Sequence, residues 1–440
     1  MTSGAPEKKL SLFDSTCIIV GIIIGAGIYE TGPVVASSMG SGAGVISIWL
    51  AGGLLALSGA LCYAELATAY PREGGDYVYL NRAYGGPAGY IFGWSQLAII
   101  RPGDIALMAF VFGRYAGTLY APTENIRVIY AVSAVVILTA INVLGVSSGK
   151  WTQNILTVIK TLGLLAIVAA GMRAPGGVNA AGSASLTMGG LELALILVLF
   201  TYGGWNEMAY VAAEIKRPQR NIVRALVTGT VAVTALYVLV NITFLHTLGY
   251  AKTAASQAVA VETVSAVFPD IAGRAISILI CVSALGAVNG LIFTGARISY
   301  ALGAEHNAFR GLGRWSPRLG TPVSALIAQG CLSLVIVLFA GSFIDTILYT
   351  APVVWLFFLA TGMSVFVLRQ KEPGTQRSYK ITGYPVTAII FCGCSVFMLY
   401  SSVSYALRNK PVGLLVMTGV LLVGVLVYRF TEMKGKKARA

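Results

Sequence analysis

The chain has 440 residues, of which 56% are hydrophobic and only 11% are charged. Soluble domains carry about 25% charged residues, so this composition excludes an ordinary soluble protein. The long apolar runs indicate a membrane protein with many spans, and we expect the lipid bilayer to be its environment. The formal net charge is +14. No basic patch with interleaved aromatic residues accompanies this charge, so we expect no nucleic-acid partner.

Twelve apolar runs are long enough to cross a membrane, since a span needs roughly 20 apolar residues. The predicted spans cover about 14–40, 44–70, 87–119, 125–147, 151–172, 189–213, 222–249, 270–302, 321–340, 343–369, 384–407 and 411–430. Most of the 31 Lys and Arg residues then fall on the side of the N-terminus. The positive-inside rule therefore predicts that both termini are cytoplasmic.

The first predicted span contains a glycine-rich run from Gly21 to Tyr29, with Gly25, Ala26 and Gly27 at its centre. Glycine is costly inside a helix, so we expect the helix to unwind here. Unwound backbone at membrane depth must face protein or a water-filled cavity. The freed amides, with the positive end of the helix that restarts, would form a carboxylate site. The alternative is a small-residue packing face, because Gly21 and Gly25 also fit a GxxxG pattern.

A second glycine-rich run lies in the sixth predicted span, from Phe200 to Asn206. A break here would free carbonyls that accept hydrogen bonds from an ammonium group, while Phe200, Tyr202 and Trp205 would supply an aromatic wall. Ordinary aromatic packing is the alternative for this run taken alone. Two broken spans at matching positions of two halves indicate the substrate site of a transporter.

Lys160 lies about nine residues inside the fifth predicted span, roughly 14 Å from its start at the helical rise. A charge at this depth costs at least about 2.5–3.5 kcal/mol, so a functional role is the default interpretation. The ammonium could replace a bound cation by bonding to freed carbonyls of the first span, or it could carry a proton. A structural tie between helices is the alternative.

Arg101 and Asp104 stand three residues apart in the third predicted span, and we interpret them as a structural ion pair near the cavity. Glu65, Glu192 and Glu207 lie near span ends, where we expect solvated or interfacial positions. None of these acids gives a clear signal of facing the central cavity.

The sequence contains no metal signature, nucleotide-binding loop or nucleophile elbow. Its six cysteines lie in apolar spans without a CxxC pair, which is typical of buried free thiols. We therefore expect no enzymatic activity, no metal and no cofactor.

Several motifs together resemble the amino acid–polyamine–organocation superfamily, and within it the L-type amino acid transporter group. They are GIIIGAGIY at 21–29, YAELATAYPREGGDYVYL at 63–80, IRP at 100–102, FTYGGWN at 200–206, EIKRPQRNI at 214–222 and GAVNGLIFTGARISYALG at 286–303. The motifs lie between residues 12 and about 325, whereas spans 9–12 match only in spacing.

The resemblance implies an all-α polytopic membrane protein with the leucine-transporter fold, in which two inverted five-helix repeats are followed by two extra helices. The implied segments are a cytoplasmic tail at 1–13, the repeats at 14–172 and 189–369, the extra helices at 384–430 and a basic cytoplasmic tail at 431–440.

The resemblance also implies a substrate site made by both broken spans. Its expected contacts are Ile23, Gly25, Ala26, Gly27, Phe200, Thr201, Tyr202 and Gly203. Backbone of the first span would hold the carboxylate, and the sixth span would hold the α-amino group. Phe200 is the expected aromatic gate, with Trp205 beside it. Lys160 matches a lysine that occupies a sodium position in sodium-independent members.

Two departures from the family pattern matter. Residues 115–130 contain no Cys, so the disulfide that links eukaryotic members to a heavy chain cannot form here. Ala26 stands where the family often has Ser, which removes a hydroxyl from the expected site.

We therefore predict sodium-independent transport of neutral L-amino acids across the plasma membrane by alternating access, in the form of exchange. Proton-coupled amino acid symport is the first alternative. Antiport of polyamines or cationic amino acids is the second, and it would require acidic residues that face the cavity.

Overall fold

The computed structural model describes residues 6–123, 125–177, 186–339, 343–409 and 411–437. No strand occurs within these ranges, which are helical apart from loops and two isolated bridges, Leu10 with Ile215 and Ser316 with Thr321. The first α-helices are α1 (Leu12–Ile23), α2 (Gly27–Glu30), α3 (Gly32–Met39), α4 (Gly42–Ala69), α5 (Asp76–Tyr84), α6 (Gly86–Ser95), α7 (Arg101–Leu119), α8 (Ile126–Val143) and α9 (Val146–Gly171). The later ones are α10 (Met188–Thr201), α11 (Pro218–Ala255), α12 (Val259–Ser265), α13 (Ala272–Glu305), α14 (Val323–Phe339), α15 (Phe343–Lys371), α16 (Val386–Asn409) and α17 (Pro411–Lys437).

Ten helical stretches of the described residues are long and apolar enough to cross a membrane. They are Leu12–Glu30, Gly42–Ala69, Gly86–Leu119, Ile126–Val143, Val146–Gly171, Pro218–Ala255, Ala272–Glu305, Thr350–Lys371, Val386–Arg408 and Gly413–Thr431. Shorter apolar helices, Met188–Thr201 and Val323–Leu338, lie within the sixth and ninth predicted spans. The all-helical membrane architecture is therefore confirmed, while the number of twelve spans and the inverted repeat stay predictions.

Helix α1 is fixed at its start by a capping box. The Ser11 hydroxyl accepts a hydrogen bond from the Asp14 amide, and the Asp14 carboxylate accepts one from the Ser11 amide at 2.8 Å. The same carboxylate also accepts hydrogen bonds from Asn154 at 2.6 Å and from Lys150 at 3.2 Å. Because both of these residues belong to α9, the cap also holds the first span against the fifth.

Helix α13 lies at the centre of the bundle and packs against α1, α7 and α9. Small residues allow these helices to approach closely. A Cβ atom at Gly290 would lie 2.3 Å from Cγ1 of Ile22, and one at Gly286 would lie 2.6 Å from Nζ of Lys160. The glycines of α13 therefore set how near the first and fifth spans can come to it.

The face of the bundle that carries the N-terminus, called the N-terminal face below, is closed by buried polar contacts. The Leu10 amide donates to the Glu214 carbonyl at 2.9 Å. The Glu214 carboxylate is buried and accepts hydrogen bonds from Arg297 at 2.8 and 3.1 Å. Glu65 is also buried and pairs with Arg369 of α15 at 2.5 Å. The solvated position expected for Glu65 is therefore wrong, because the side chain is buried in this ion pair. The sequence does not reveal the pairing, since the two residues are 304 positions apart.

Glu372 lies just beyond α15 on the same face, outside the membrane-spanning segment. Hydrogen bonds from Arg82 hold the pKa of the Glu372 carboxyl below its usual range. The two groups form an ion pair of 2.8 Å, which joins the loop after α15 to α5.

Candidate functional site

The first predicted span is broken in its middle. Helix α1 ends at Ile23, residues 24–26 are not helical, and the chain becomes helical again at Gly27. The prediction of a break at the glycine-rich run is confirmed. The first amides of the helix that restarts have no carbonyl one turn earlier to accept them, so this end of the backbone can donate hydrogen bonds. Gly25 and Gly27 both line the cavity described below.

The sixth predicted span is broken as well. Helix α10 ends at Thr201, residues 202–206 form turns, and a 3₁₀-helix runs over Glu207–Glu214. Gly204 has φ +114°, a conformation that side chains other than that of glycine rarely adopt. A Cβ atom there would also lie 2.7 Å from Cγ2 of Ile22 and 3.1 Å from the Ile23 amide nitrogen. Both constraints require glycine at this position.

The two breaks touch each other. A Cβ atom at Gly27 would lie 2.8 Å from Oγ1 and 2.9 Å from Cγ2 of Thr201. Tyr237 of α11 also joins them, because its hydroxyl donates to the Ile23 carbonyl at 2.8 Å and approaches the Thr201 carbonyl at 3.5 Å. This role of Tyr237 could not be predicted, since a tyrosine in an apolar span has no pattern that identifies its partner.

A cavity of about 180 Å³ lies between the breaks and the helices around them. Its backbone-rich side is formed by Ile22, Ile23, Gly25, Gly27, Thr201, Gly203 and Gly204. Its apolar side includes Ile100, Leu107, Met108, Ile196, Leu199, Phe200, Trp355, Phe357 and Phe358. An enclosure that is largely apolar with a few exposed polar groups is typical of a small-molecule site.

The structure brings most of the predicted contact residues to this cavity. Those that line it are Ile23, Gly25, Gly27, Phe200, Thr201 and Gly203. Ala26 lies between two lining glycines and is buried. The Phe200 carbonyl accepts a hydrogen bond from the Gly203 amide at 2.9 Å and is also approached by the Tyr202 amide.

Two predicted aromatic residues face other parts of the bundle. The Tyr202 hydroxyl donates to the Trp49 carbonyl at 3.0 Å, and the Tyr202 ring packs against Tyr237. The Trp205 ring packs edge-on against Tyr63, with centroids 5.0 Å apart, and also contacts Phe391. Neither ring lines the cavity, so of the predicted aromatic wall the structure places Phe200 there.

Lys160 lies outside the cavity wall, behind the first break. Its side chain is fully buried, and its ammonium donates hydrogen bonds to the carbonyls of Gly21, of Ile24 at 2.9 Å and of Ser283 at 3.2 Å. Ile24 is one of the non-helical residues, and Ser283 belongs to α13. The ammonium thus satisfies carbonyls of the broken span and connects them to the fifth and eighth spans.

The floor of the cavity, on the side of the N-terminal face, is formed by Asp76, Arg101, Glu207 and Tyr210. Both terminal nitrogens of Arg101 bond to the Glu207 carboxylate, at 2.8 and 2.7 Å, and its Nε donates to Gln96 at 3.0 Å. The predicted pairing of Arg101 with Asp104 is therefore wrong, as is the solvated position expected for Glu207. A π-helical turn over Gln96–Ile100 precedes Arg101 and changes which way the guanidinium points.

Acidic side chains do line the cavity, contrary to the sequence interpretation. Asp76, Asp104 and Glu207 all reach it. The Asp76 carboxylate accepts hydrogen bonds from the hydroxyls of Tyr63, of Tyr210 at 2.7 Å and of Thr361 at 2.5 Å. Glu207 is paired with Arg101, whereas Asp104 is partly exposed to the cavity.

A sequence profile of the amino acid permease family matches residues 10–427. The chain belongs to this family. It is 32% identical over 385 residues to the b(0,+)-type amino acid transporter 1 of Oryctolagus cuniculus, which covers 85% of this chain and 79% of the relative. It is 31% identical over 441 residues to the large neutral amino acids transporter small subunit 2 of the same species, covering 96% and 80%.

A bacterial relative is similar over nearly its whole length. The chain is 29% identical over 438 residues to the serine/threonine exchanger SteT of Bacillus subtilis, with 98% of each chain covered. The relatives are named as transporters, so this family member is a membrane transporter and not an enzyme. The resemblance to the amino acid–polyamine–organocation superfamily is confirmed.

Proposed function

We propose that this chain exchanges neutral L-amino acids across the plasma membrane without sodium, by alternating access. The cavity between the two helix breaks supports this proposal. The Gly25 amide already donates to the Ile23 carbonyl at 2.7 Å, so the amides of Ala26 and Gly27 would bind the substrate carboxylate. The carbonyls near Phe200 and Gly203 would accept from the α-ammonium. An apolar wall would then hold a neutral side chain.

One observation supports the proposal that transport does not require sodium. The ammonium of Lys160 bonds to carbonyls of Gly21 and Ile24 beside the break and to the Ser283 carbonyl of α13. Carbonyls freed by a broken helix are the groups that bind sodium in transporters of this kind. Here they are already bonded to the amine of Lys160, which occupies the place of the ion.

The proposal includes the membrane arrangement predicted from the sequence. Two inverted five-helix repeats, at 14–172 and 189–369, would place the breaks at equivalent positions, and both termini would be cytoplasmic. We further propose that the chain works without a disulfide-linked heavy chain, because residues 115–130 contain no Cys and Cys17, Cys62, Cys281 and Cys392 are buried.

Reconstitution of the purified chain into proteoliposomes tests the proposal. Labelled L-amino acids from a panel are added outside vesicles that are either empty or preloaded with unlabelled amino acid. We expect uptake that requires internal substrate and that is equal in sodium and potassium buffers. Uptake into empty vesicles driven by an inward proton gradient would instead establish symport, and a requirement for sodium would contradict the proposal.

Phe200 provides a second test of the same site. Its side chain lines the cavity from the last turn of α10, where it can close over a bound amino acid. Burial of a phenylalanine side chain contributes about 1.5–3 kcal/mol, so Phe200→Ala is expected to reduce exchange about tenfold or more. Phe200→Trp keeps an aromatic ring and is expected to lose less.

The control for this pair is Phe13→Ala, because Phe13 is 57% exposed on the outside of α1. Initial rates of exchange in proteoliposomes, normalised to the amount of reconstituted protein, give the comparison. Equal rates for Phe200→Ala and wild type would remove the gate role.

A further inference from the structure

A groove of about 330 Å³ lies between α10 and α16, away from the central cavity. Two oppositely charged residues line it, Glu192 of α10 and Arg408 of α16. Neither side chain forms a hydrogen bond or ion pair with another residue in the part of the chain that the structure describes. The groove therefore offers one negative and one positive group, and each can pair with a bound molecule.

These charges lie at the end of the bundle opposite the N-terminal face. The sixth span runs from α10 through its break to Glu214, which lies on that face. Helix α16 follows Ile381, whose amide donates to the Glu65 carboxylate on the same face at 2.8 Å. The start of α10 and the end of α16, with Glu192 and Arg408, are therefore close to the opposite membrane surface, where lipid headgroups lie.

The groove continues from its charged end toward the middle of the membrane. Along α10, Ile196 lies about 6 Å deeper than Glu192, and along α16, Tyr400 lies about 12 Å deeper than Arg408, at the helical rise. The Tyr400 side chain is 63% exposed, so this end of the groove opens on the outside of the bundle. A small water-soluble molecule would occupy the charged end alone, whereas a lipid would occupy both ends.

A buried hydroxyl lies between the two ends of the groove. Ser401 is only 4% exposed and lines the groove, and its hydroxyl has no hydrogen-bond partner among the described residues. Buried polar groups normally have a partner, so this hydroxyl favours a ligand with an acceptor at its level. Ser401 lies two turns deeper than Arg408, on the side where a phospholipid with its phosphate at Arg408 carries its ester carbonyls.

We propose that this groove binds phosphatidylethanolamine from the leaflet opposite the N-terminal face. The lipid phosphate would pair with Arg408, the primary ammonium would donate to Glu192, and an ester carbonyl would accept from Ser401. Phosphatidylcholine has the same charges, but its quaternary ammonium has no N–H to donate. Phosphatidylglycerol has no cation, so Glu192 would stay unpaired beside a phosphate.

The bound lipid would also contact the helix that carries the proposed gate. Ile196 lines both the groove and the central cavity, and Phe200 follows it by one turn on α10. A lipid against Ile196 therefore limits how far this short helix can move. The lipid site goes beyond the proposed function and does not depend on it, because its occupancy can be measured without transport.

Native mass spectrometry of the purified chain, titrated with dioleoyl forms of these phospholipids, measures their binding. Partly exposed charge pairs contribute modestly, so we expect phosphatidylethanolamine to bind about threefold or more tightly than phosphatidylcholine or phosphatidylglycerol. Equal affinities of the wild type for phosphatidylethanolamine and phosphatidylcholine would overturn the proposal.

Variants of the two charged residues assign the binding to the groove. Glu192→Gln is expected to lower the affinity for phosphatidylethanolamine to that for phosphatidylcholine, while Arg408→Gln is expected to weaken the binding of every phospholipid tested. Asp270→Asn and Arg274→Gln are the matched controls, because both residues are exposed around the start of α13, and they are expected to bind like the wild type. A preference for phosphatidylethanolamine that persists in Glu192→Gln would place the lipid elsewhere and overturn the proposal.

Glycerophosphoethanolamine carries the same headgroup without acyl chains, and it separates a lipid site from a site for a soluble zwitterion. We expect it to leave bound phosphatidylethanolamine in place at equal concentration. Displacement of the lipid at equal concentration would show that the groove selects a soluble molecule and would contradict the proposal.

The contact through Ile196 is tested by exchange in proteoliposomes made with or without phosphatidylethanolamine. We expect the rate of the wild type to depend on this lipid and the rate of Glu192→Gln to be independent of it. Wild-type rates that are equal in both kinds of vesicle would overturn the link between groove and cavity. Failure of the wild type to move any amino acid would overturn the proposed function, while the binding measurements would still decide the lipid site.

Discussion

Replacing Lys160 with alanine is expected to reduce amino acid exchange about tenfold or more. The substitution leaves the carbonyls of Gly21, Ile24 and Ser283 without their donor in a buried site. Each unsatisfied buried group costs about 1–3 kcal/mol, and the non-helical backbone at Ile24 would shift to find another partner. Because the neighbouring residues Ile23 and Gly25 line the cavity, substrate binding should weaken together with turnover.

Lys150→Ala is the matched control for this experiment. Lys150 lies on the same helix and bonds to Asp14 at 3.2 Å, but its side chain is partly exposed at the N-terminal face. Its loss is therefore expected to have a smaller effect than the loss of Lys160. Exchange rates and substrate affinity are measured for both variants, after thermal unfolding in detergent shows that each is folded. Full activity of Lys160→Ala would refute the assignment.

Substituting Gly27 with alanine is expected to have an effect of similar size. The new Cβ atom would lie 2.8 Å from Oγ1 of Thr201, so the two helix breaks would have to move apart. Overpacking of this kind costs about 1–3 kcal/mol, which corresponds to a loss of roughly tenfold or more in substrate affinity if the bound state needs the close contact.

Gly25→Ala separates this steric effect from a general loss of flexibility. A Cβ atom at Gly25 meets Sδ of Met108 at 3.6 Å, which is an ordinary contact. We expect Gly25→Ala to bind substrate better than Gly27→Ala, and we expect Thr201→Ala to restore part of the binding in the Gly27→Ala background. Scintillation proximity measurements give the affinities. Normal affinity of Gly27→Ala would contradict the role of the contact between the breaks.

The helix breaks could be predicted because their cause is local. Glycine disfavours helix wherever it occurs, so the runs around Gly25 and Gly203 identify the unwound backbone without any knowledge of neighbours. The depth of Lys160 in its span likewise follows from counting residues. Buried lysines must find acceptors, and a broken helix is the nearest source of free carbonyls.

The directions of individual side chains could not be predicted in the same way. The turns at 202–206 and the 3₁₀-helix after them change the rotation per residue, which points the rings of Tyr202 and Trp205 away from the cavity. The π-helical turn before Arg101 has a similar effect on the third span. The partner of Arg101 is Glu207, 106 residues away, and such a pairing depends on the tertiary fold.

The floor of the cavity has a consequence for the rate of transport. Arg101 and Glu207 are in direct contact and shielded from water, and farther toward the N-terminal face so are Arg297 and Glu214. If opening toward this face separates such pairs, their mutual attraction is lost before water hydrates the separated charges. Once water has entered, hydration replaces the lost attraction. The closed and open states of the cavity floor can therefore have similar free energies and still be separated by a high barrier. This barrier slows the leakage of solutes through the transporter between turnovers.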